Sequence, residues 1–130
     1  METMSVAVKL QDSADGMGLV EATGLLTISE DSLRIQFRSQ DAIFGVFKSK
    51  LKTTEIPLSK VEELGYKKSI FGNKLFFKVT DLQLIESLPG CNNNKVTLGV
   101  SREDITTAED MVRAVRLDMS EREYQAAMGE

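Results

Sequence analysis

The sequence predicts a mainly β domain of α+β type, a seven-stranded antiparallel barrel or sandwich capped by one C-terminal helix. Three observations carry that prediction. Several short runs alternate apolar and polar residues, the period of a strand with one buried face. Turn-forming clusters separate these runs at short, even intervals, which suits a barrel or sandwich better than βαβ units. Only from Ile105 onward does the period change to three and four, the spacing of an amphipathic helix.

In chain order, Met1 to Asp15 mixes small, polar and acidic residues with a weak apolar patch at Val6 to Leu10. It reads as a flexible arm (1–15) or a loosely docked strand. Strand signals begin at Gly16, where Gly18 and Gly24 offer places for a bend or bulge. Gly24 to Ser29 and Leu33 to Arg38 form a hairpin: Leu26 and Ile28 precede the polar turn 29–32, then Leu33, Ile35 and Phe37 alternate with Arg34, Gln36 and Arg38. A third strand is expected over Lys50 to Ile56, ending at Pro57, whose missing N–H suits a strand terminus. Leu58 to Lys68 gives a fourth, with Val61, Leu64 and Tyr66 as core candidates. Lys74 to Thr80 is the fifth, with Leu75, Phe77 and Val79 inward. Leu82 to Glu86 reads as a short sixth. Leu88 to Asn94 is rich in Pro, Gly and Asn and reads as a loop.

The seventh strand and the helix are the clearest part. Val96, Leu98 and Val100 alternate with Lys95, Thr97 and Gly99. Ile105, Ala108, Val112, Val115 and Met119 then place an apolar stripe down one side of a helix, with Met111 beside it. Thr106 with Glu109 fits a capping box, and Arg113 and Arg116 lie toward the negative end of the helix dipole. The tail, 118–130, carries Ser120 with Glu123 as a second capping box. A helix that short is unstable alone and would fray unless a partner ordered it.

The bulk numbers set bounds. A chain of 130 residues is one domain in length, and 42% apolar content suffices for a core. Net charge is −4, which argues against general affinity for nucleic acid. That charge is segregated: residues 1–33 hold one Lys and six acids, 34–78 hold ten Lys/Arg and four acids, and 79–130 hold five Lys/Arg and ten acids. Cys91 is the single cysteine, so no internal disulfide supports the fold. Met1 to Leu10 lacks a basic stretch followed by an apolar run, and no run approaches the ~18 apolar residues of a membrane span. A cytoplasmic protein is expected, at a membrane surface only if its basic residues engage lipid.

The pieces Gly24-Leu25-Leu26-Thr27-Ile28, Leu33-Arg34-Ile35, Glu55-Ile56-Pro57-Leu58-Ser59-Lys60-Val61, Ile70-Phe71-Gly72-Asn73-Lys74-Leu75 and Val96-Thr97-Leu98, with the closing helix, resemble the pleckstrin-homology-like superfold in its bacterial, GRAM-like branch. The resemblance covers Gly16 to Leu117, so residues 16–117 are taken as the domain. It implies a half-open seven-strand barrel stoppered by the helix, and a module that binds proteins, peptides or lipid headgroups without catalysis; that step from fold to function is an analogy. One departure matters. Headgroup-binding members carry basic residues around their first hairpin loop, whereas here that loop is Ser29-Glu30-Asp31-Ser32, with Arg34 alone on the strand that follows.

For chemistry the sequence offers little. With no His, Ser-His-Asp and Cys-His arrangements and His-based metal sites are excluded. The paired acids Glu62-Glu63, Glu103-Asp104 and Glu109-Asp110 read as solvated charge, and Cys91 has no basic neighbour to activate it. No catalytic residue, cofactor or metal is assigned. Two features suggest binding instead. Lys48, Lys50 and Lys52 alternate on the third strand, and Lys74 and Lys78 share a face of the fifth; with Arg34 they would form a basic face for an acidic partner, an anionic membrane or the acidic ends of another copy. Solvent-side lysines also simply keep strand edges soluble. The run Ile43-Phe44-Gly45-Val46-Phe47 is either a continuation of the second strand with its phenylalanines in the core, or an exposed apolar loop that marks an interface. Phe76 poses the same question, because it shares a face with two lysines. The expected function is a non-enzymatic module that associates with itself or a protein partner, and the alternative is a peripheral binder of anionic lipid.

Overall fold

The computed structural model describes residues 2–10, 20–41, 51–68, 70, 72–89 and 91–129. Its elements in order are β1 (Met4–Leu10), β2 (Val20–Ile28), β3 (Ser32–Asp41), β4 (Lys52–Pro57), β5 (Val61–Lys67), β6 (Asn73–Val79), β7 (Cys91–Asn92), β8 (Lys95–Val100) and helix α1 (Ile105–Met128). One antiparallel sheet runs β4-β3-β2-β1-β8-β6-β5, and the two-residue β7 pairs with the start of β8. The sheet is open rather than closed on itself. Among the described residues its two halves meet where β1 pairs with β8, through Lys9 opposite Gly99 and Leu10 opposite Leu98.

The strands form because alternation lets each bury one row of side chains while its backbone is satisfied by neighbours. The inner row is Val6, Val8 and Leu10 on β1, Leu26 and Ile28 on β2, and Leu33, Ile35 and Phe37 on β3. Leu75, Phe77 and Val79 on β6 and Val96, Leu98 and Val100 on β8 continue it across the second half. All belong to one continuous core, which α1 completes with Ala108, Met111, Val112 and Val115, none of them exposed. The helix packs on β1 and β5, so it spans the mouth between the halves. Arg116 Nε donates to the Leu64 carbonyl at 3.0 Å, which gives an edge-strand oxygen of β5 a partner.

Several expectations need correction. Met4–Leu10 is a central strand rather than an arm, and Cys91–Asn92, expected in a loop, pairs with β8, so with Leu82 to Glu86 lost the described residues hold eight strands instead of seven. Val6, Val8 and Leu10 alternate strictly with Ala7 and Lys9, and that pattern outweighs the polar residues around it. Leu82–Leu84 is a 3₁₀ turn, not a strand; the Asp81 carboxylate accepts from the Gln83 N–H at 3.0 Å and bends the chain there. Leu58–Lys60 is a second such turn, so β5 begins only at Val61. An irregularity between Val61 and Glu63 breaks the alternation in β5. Tyr66 sits at the free end of that edge strand and is 36% exposed, not core. The helix is continuous from Ile105 to Met128, absorbing Ser120 and Glu123, because nothing in Met119 to Arg122 breaks it. Its N-cap position is Asp104, so Thr106 lies inside the first turn and caps nothing.

Candidate binding surfaces

Three surfaces follow from these elements. On the outer face of β6 stand Lys74, Phe76 and Lys78, brought together as the alternation requires. Phe76 is not an open apolar contact. Its ring lies over Gly65, where an added Cβ would come within 2.6 Å of it, and Lys95 Nζ stands 4.6 Å from the ring centroid. Lys78 pairs with Glu63 at 3.4 Å. Arg34 is elsewhere, on β3 directly opposite Glu55. Lys52 is opposite Phe37, so it has inward parity at the exposed rim of β4 and does not share a face with Lys74. Ile43, Phe44, Val46, Phe47, Lys48 and Lys50 lie outside the described residues.

Sequence reading missed a row that only the register assembles. Lys9 on β1 lies opposite Thr23 of β2 and Gly99 of β8. Gly99 lies opposite Lys74 of β6, which in turn faces Lys67 of β5. Lys9, Lys67 and Lys74 come from distant parts of the chain, so no local spacing could group them. The one available signal was the outward position of Lys9 between Val8 and Leu10. Beside this row a depression of about 550 Å³ opens where β8 leaves β1, bordered by Lys9, Thr23, Gly72, Lys74, Gly99 and Asp104.

The third surface is the far end of α1. Every residue from Ser120 to Gly129 is exposed, and Leu117, Tyr124 and Met128 are 62%, 66% and 69% exposed. Steps of seven and four place these three on one line of the helix. Arg122 is the last tether to the body: it bonds Asp118 at 2.8 Å and reaches the β2–β3 turn, with the Glu30 carbonyl at 3.3 Å and the Asp31 carboxylate at 3.8 Å. The acidic turn therefore faces a helix arginine. Nearer the helix start, Lys68 pairs with Glu109 at 2.5 Å, and that hydrogen bond, with the Glu109 charge, raises the Lys68 pKa.

Among the described residues no group of His, Cys, Asp and Glu could hold a metal ion, no buried side-chain polar atom lacks a partner, and no helix is long and apolar enough to cross a membrane. No protein-family model, curated protein or solved structure matches the chain.

Proposed function

We propose that this chain is a non-catalytic assembly module of pleckstrin-homology-like architecture, GRAM-like in its bacterial form, which associates with a second copy of itself. The observation that carries the reading is the projecting end of α1. A helix turn with no tertiary support is marginal in water, and three large apolar side chains along it add exposed surface that association would remove. Two copies running antiparallel would set Leu117 of one against Tyr124 of the other, a self-complementary contact of the kind a two-fold dimer uses. A hollow of about 360 Å³ between Met4 and Leu117 lies beside that line and could receive the tyrosine.

Light scattering at tens of micromolar tests it. The wild type is expected at twice the monomer mass, and Tyr124→Asp at the monomer mass with a cooperative thermal transition whose midpoint, unlike that of the wild type, does not depend on protein concentration. A wild type that stays monomeric across that range removes the reading.

A further inference from the structure

We infer that the outer face of β5, β6 and β8 is a docking face for single-stranded nucleic acid, with one base stacked on Phe76 and the flanking phosphates held by two rows of lysines. The site shares no residue with the end of α1 and needs no second copy of the chain.

The register lays three rows across these strands. The first runs Lys9, Gly99, Lys74, Lys67. The second runs Thr97, Phe76, Gly65, and the third Lys95, Lys78, Glu63. The outer two rows stand about 13 Å apart, four residues along β6, with Phe76 midway between them. Gly65 is the floor under the ring, since a Cβ there would come within 2.6 Å of it.

Five lysines and one carboxylate occupy the three rows. A chain whose net charge of −4 argues against nucleic acid on average therefore collects positive charge at this one face. Lys67 lies directly opposite Lys74, and Lys78 directly opposite Lys95, arrangements of like charge that cost stability. Among the described residues only Lys78 of the five has a carboxylate partner, Glu63 at 3.4 Å. A scaffold gains nothing by crowding like charges around an aromatic ring, whereas a face that takes a polyanion does.

The ring decides the class of polyanion. An acidic peptide offers carboxylates but no planar surface to lie on Phe76. A ring set over Gly65 rather than projecting gives a bilayer no side chain to take in. Nucleic acid offers both halves, phosphates for the lysines and a π-face on every base. In a duplex those faces are already stacked on one another, so the site selects single strands. The Lys95 ammonium, 4.6 Å from the ring centroid, sits on a flexible stem; a base takes its place there while it moves to a phosphate. Arg116 Nη2 lies 3.1 Å from where a Gly65 Cβ would stand and adds a positive charge at the rim.

Fluorescence anisotropy of the full chain with a labelled oligothymidylate of about ten nucleotides at low salt is the test. Oligouridylate, the same sequence as a duplex, polyglutamate and phosphatidylserine vesicles are further arms. Binding to both single strands is expected, with markedly weaker binding to the duplex. Lys67→Gln, Lys74→Gln and Lys95→Gln should each weaken it, and each should lower the slope of log affinity against log salt by about 0.7, the share of one phosphate contact on a single strand. Phe76→Leu keeps an apolar side chain and removes the π-face; it should weaken binding at least about fivefold and leave that slope unchanged. Thermal melts establish that each variant is folded. Lys67 and Lys74 are exposed, so their variants carry the test if Phe76→Leu fails to fold. Absence of binding to either single strand overturns the proposal. So does a folded Phe76→Leu that binds as the wild type does, and so does a duplex bound as tightly as a single strand. Equal or tighter binding of polyglutamate or of the vesicles overturns it too, by assigning the lysines to an acidic protein or a membrane.

Discussion

At Gly24 a single hydrogen stands where any other residue would place a carbon against the Gln36 carbonyl oxygen and within 3.0 Å of Phe37 Cβ. The obstacle is backbone, which cannot rotate away, so β2 and β3 pair this closely only because the position is glycine. Gly24→Ala is expected to destabilise by about 1–3 kcal/mol, the usual cost of overpacking. In a chain this size that lowers the melting temperature by about 3–5 °C per kcal/mol. Gly99→Ala should leave it nearly unchanged, because its Cβ meets only ordinary contacts. An equal effect of the two substitutions would contradict the close approach of β2 and β3. The sequence marks both residues as glycines within strand patterns, where a bulge or a close approach is the usual inference. Which cause applies depends on what lies across the sheet, and that is a matter of register.

Elements were legible where periodicity is long and uniform. The β2–β3 hairpin, β6, β8 and the first turns of α1 each carry three or more apolar residues at one period; β6, β8 and the helix start fall within a residue of their expected places, while β2 begins four residues earlier and β3 ends three later than expected. The failures have local causes. β1 was obscured because its alternating triplet is set among polar residues. Leu82 to Glu86 has strand-like composition, but Asp81 caps a turn there. In the sequence the end of α1 reads as a tail because isolated short helices are unstable, whereas the helix continues from a packed half without an interruption. The tie between the β5 end and α1 makes a pH prediction. Lys68 has its pKa raised above the ordinary value of about 10.5 by its bond to Glu109. A raised lysine contributes stability below its unfolded pKa and loses that contribution as pH climbs through the folded value. Thermal stability should therefore respond to Lys68→Met below the ordinary lysine value, with wild type and variant converging only as pH climbs past the raised folded value. A difference that persists undiminished to higher pH would contradict this. The pair is exposed, so the effect is small.

At the scale of the whole molecule, two half-sheets joined where β1 pairs with β8 leave a mouth, and one helix face closes it. The fold class was readable because it depends on periods and turn spacing, which are local. The binding surfaces were not, because the Lys9–Gly99–Lys74–Lys67 row and the Arg122 tether join residues far apart in sequence. Nor could composition reveal that one helix would be half core and half free.

Amide hydrogen exchange along α1, measured in dilute and in concentrated solution, tests that division most directly. Amides from Ala108 to Arg116 should exchange only through global unfolding at either concentration. Those from Glu123 to Met128 should exchange quickly when dilute and slow markedly when concentrated. Fast exchange at Val112 and Val115, or a helix end whose rate ignores concentration, would contradict the account.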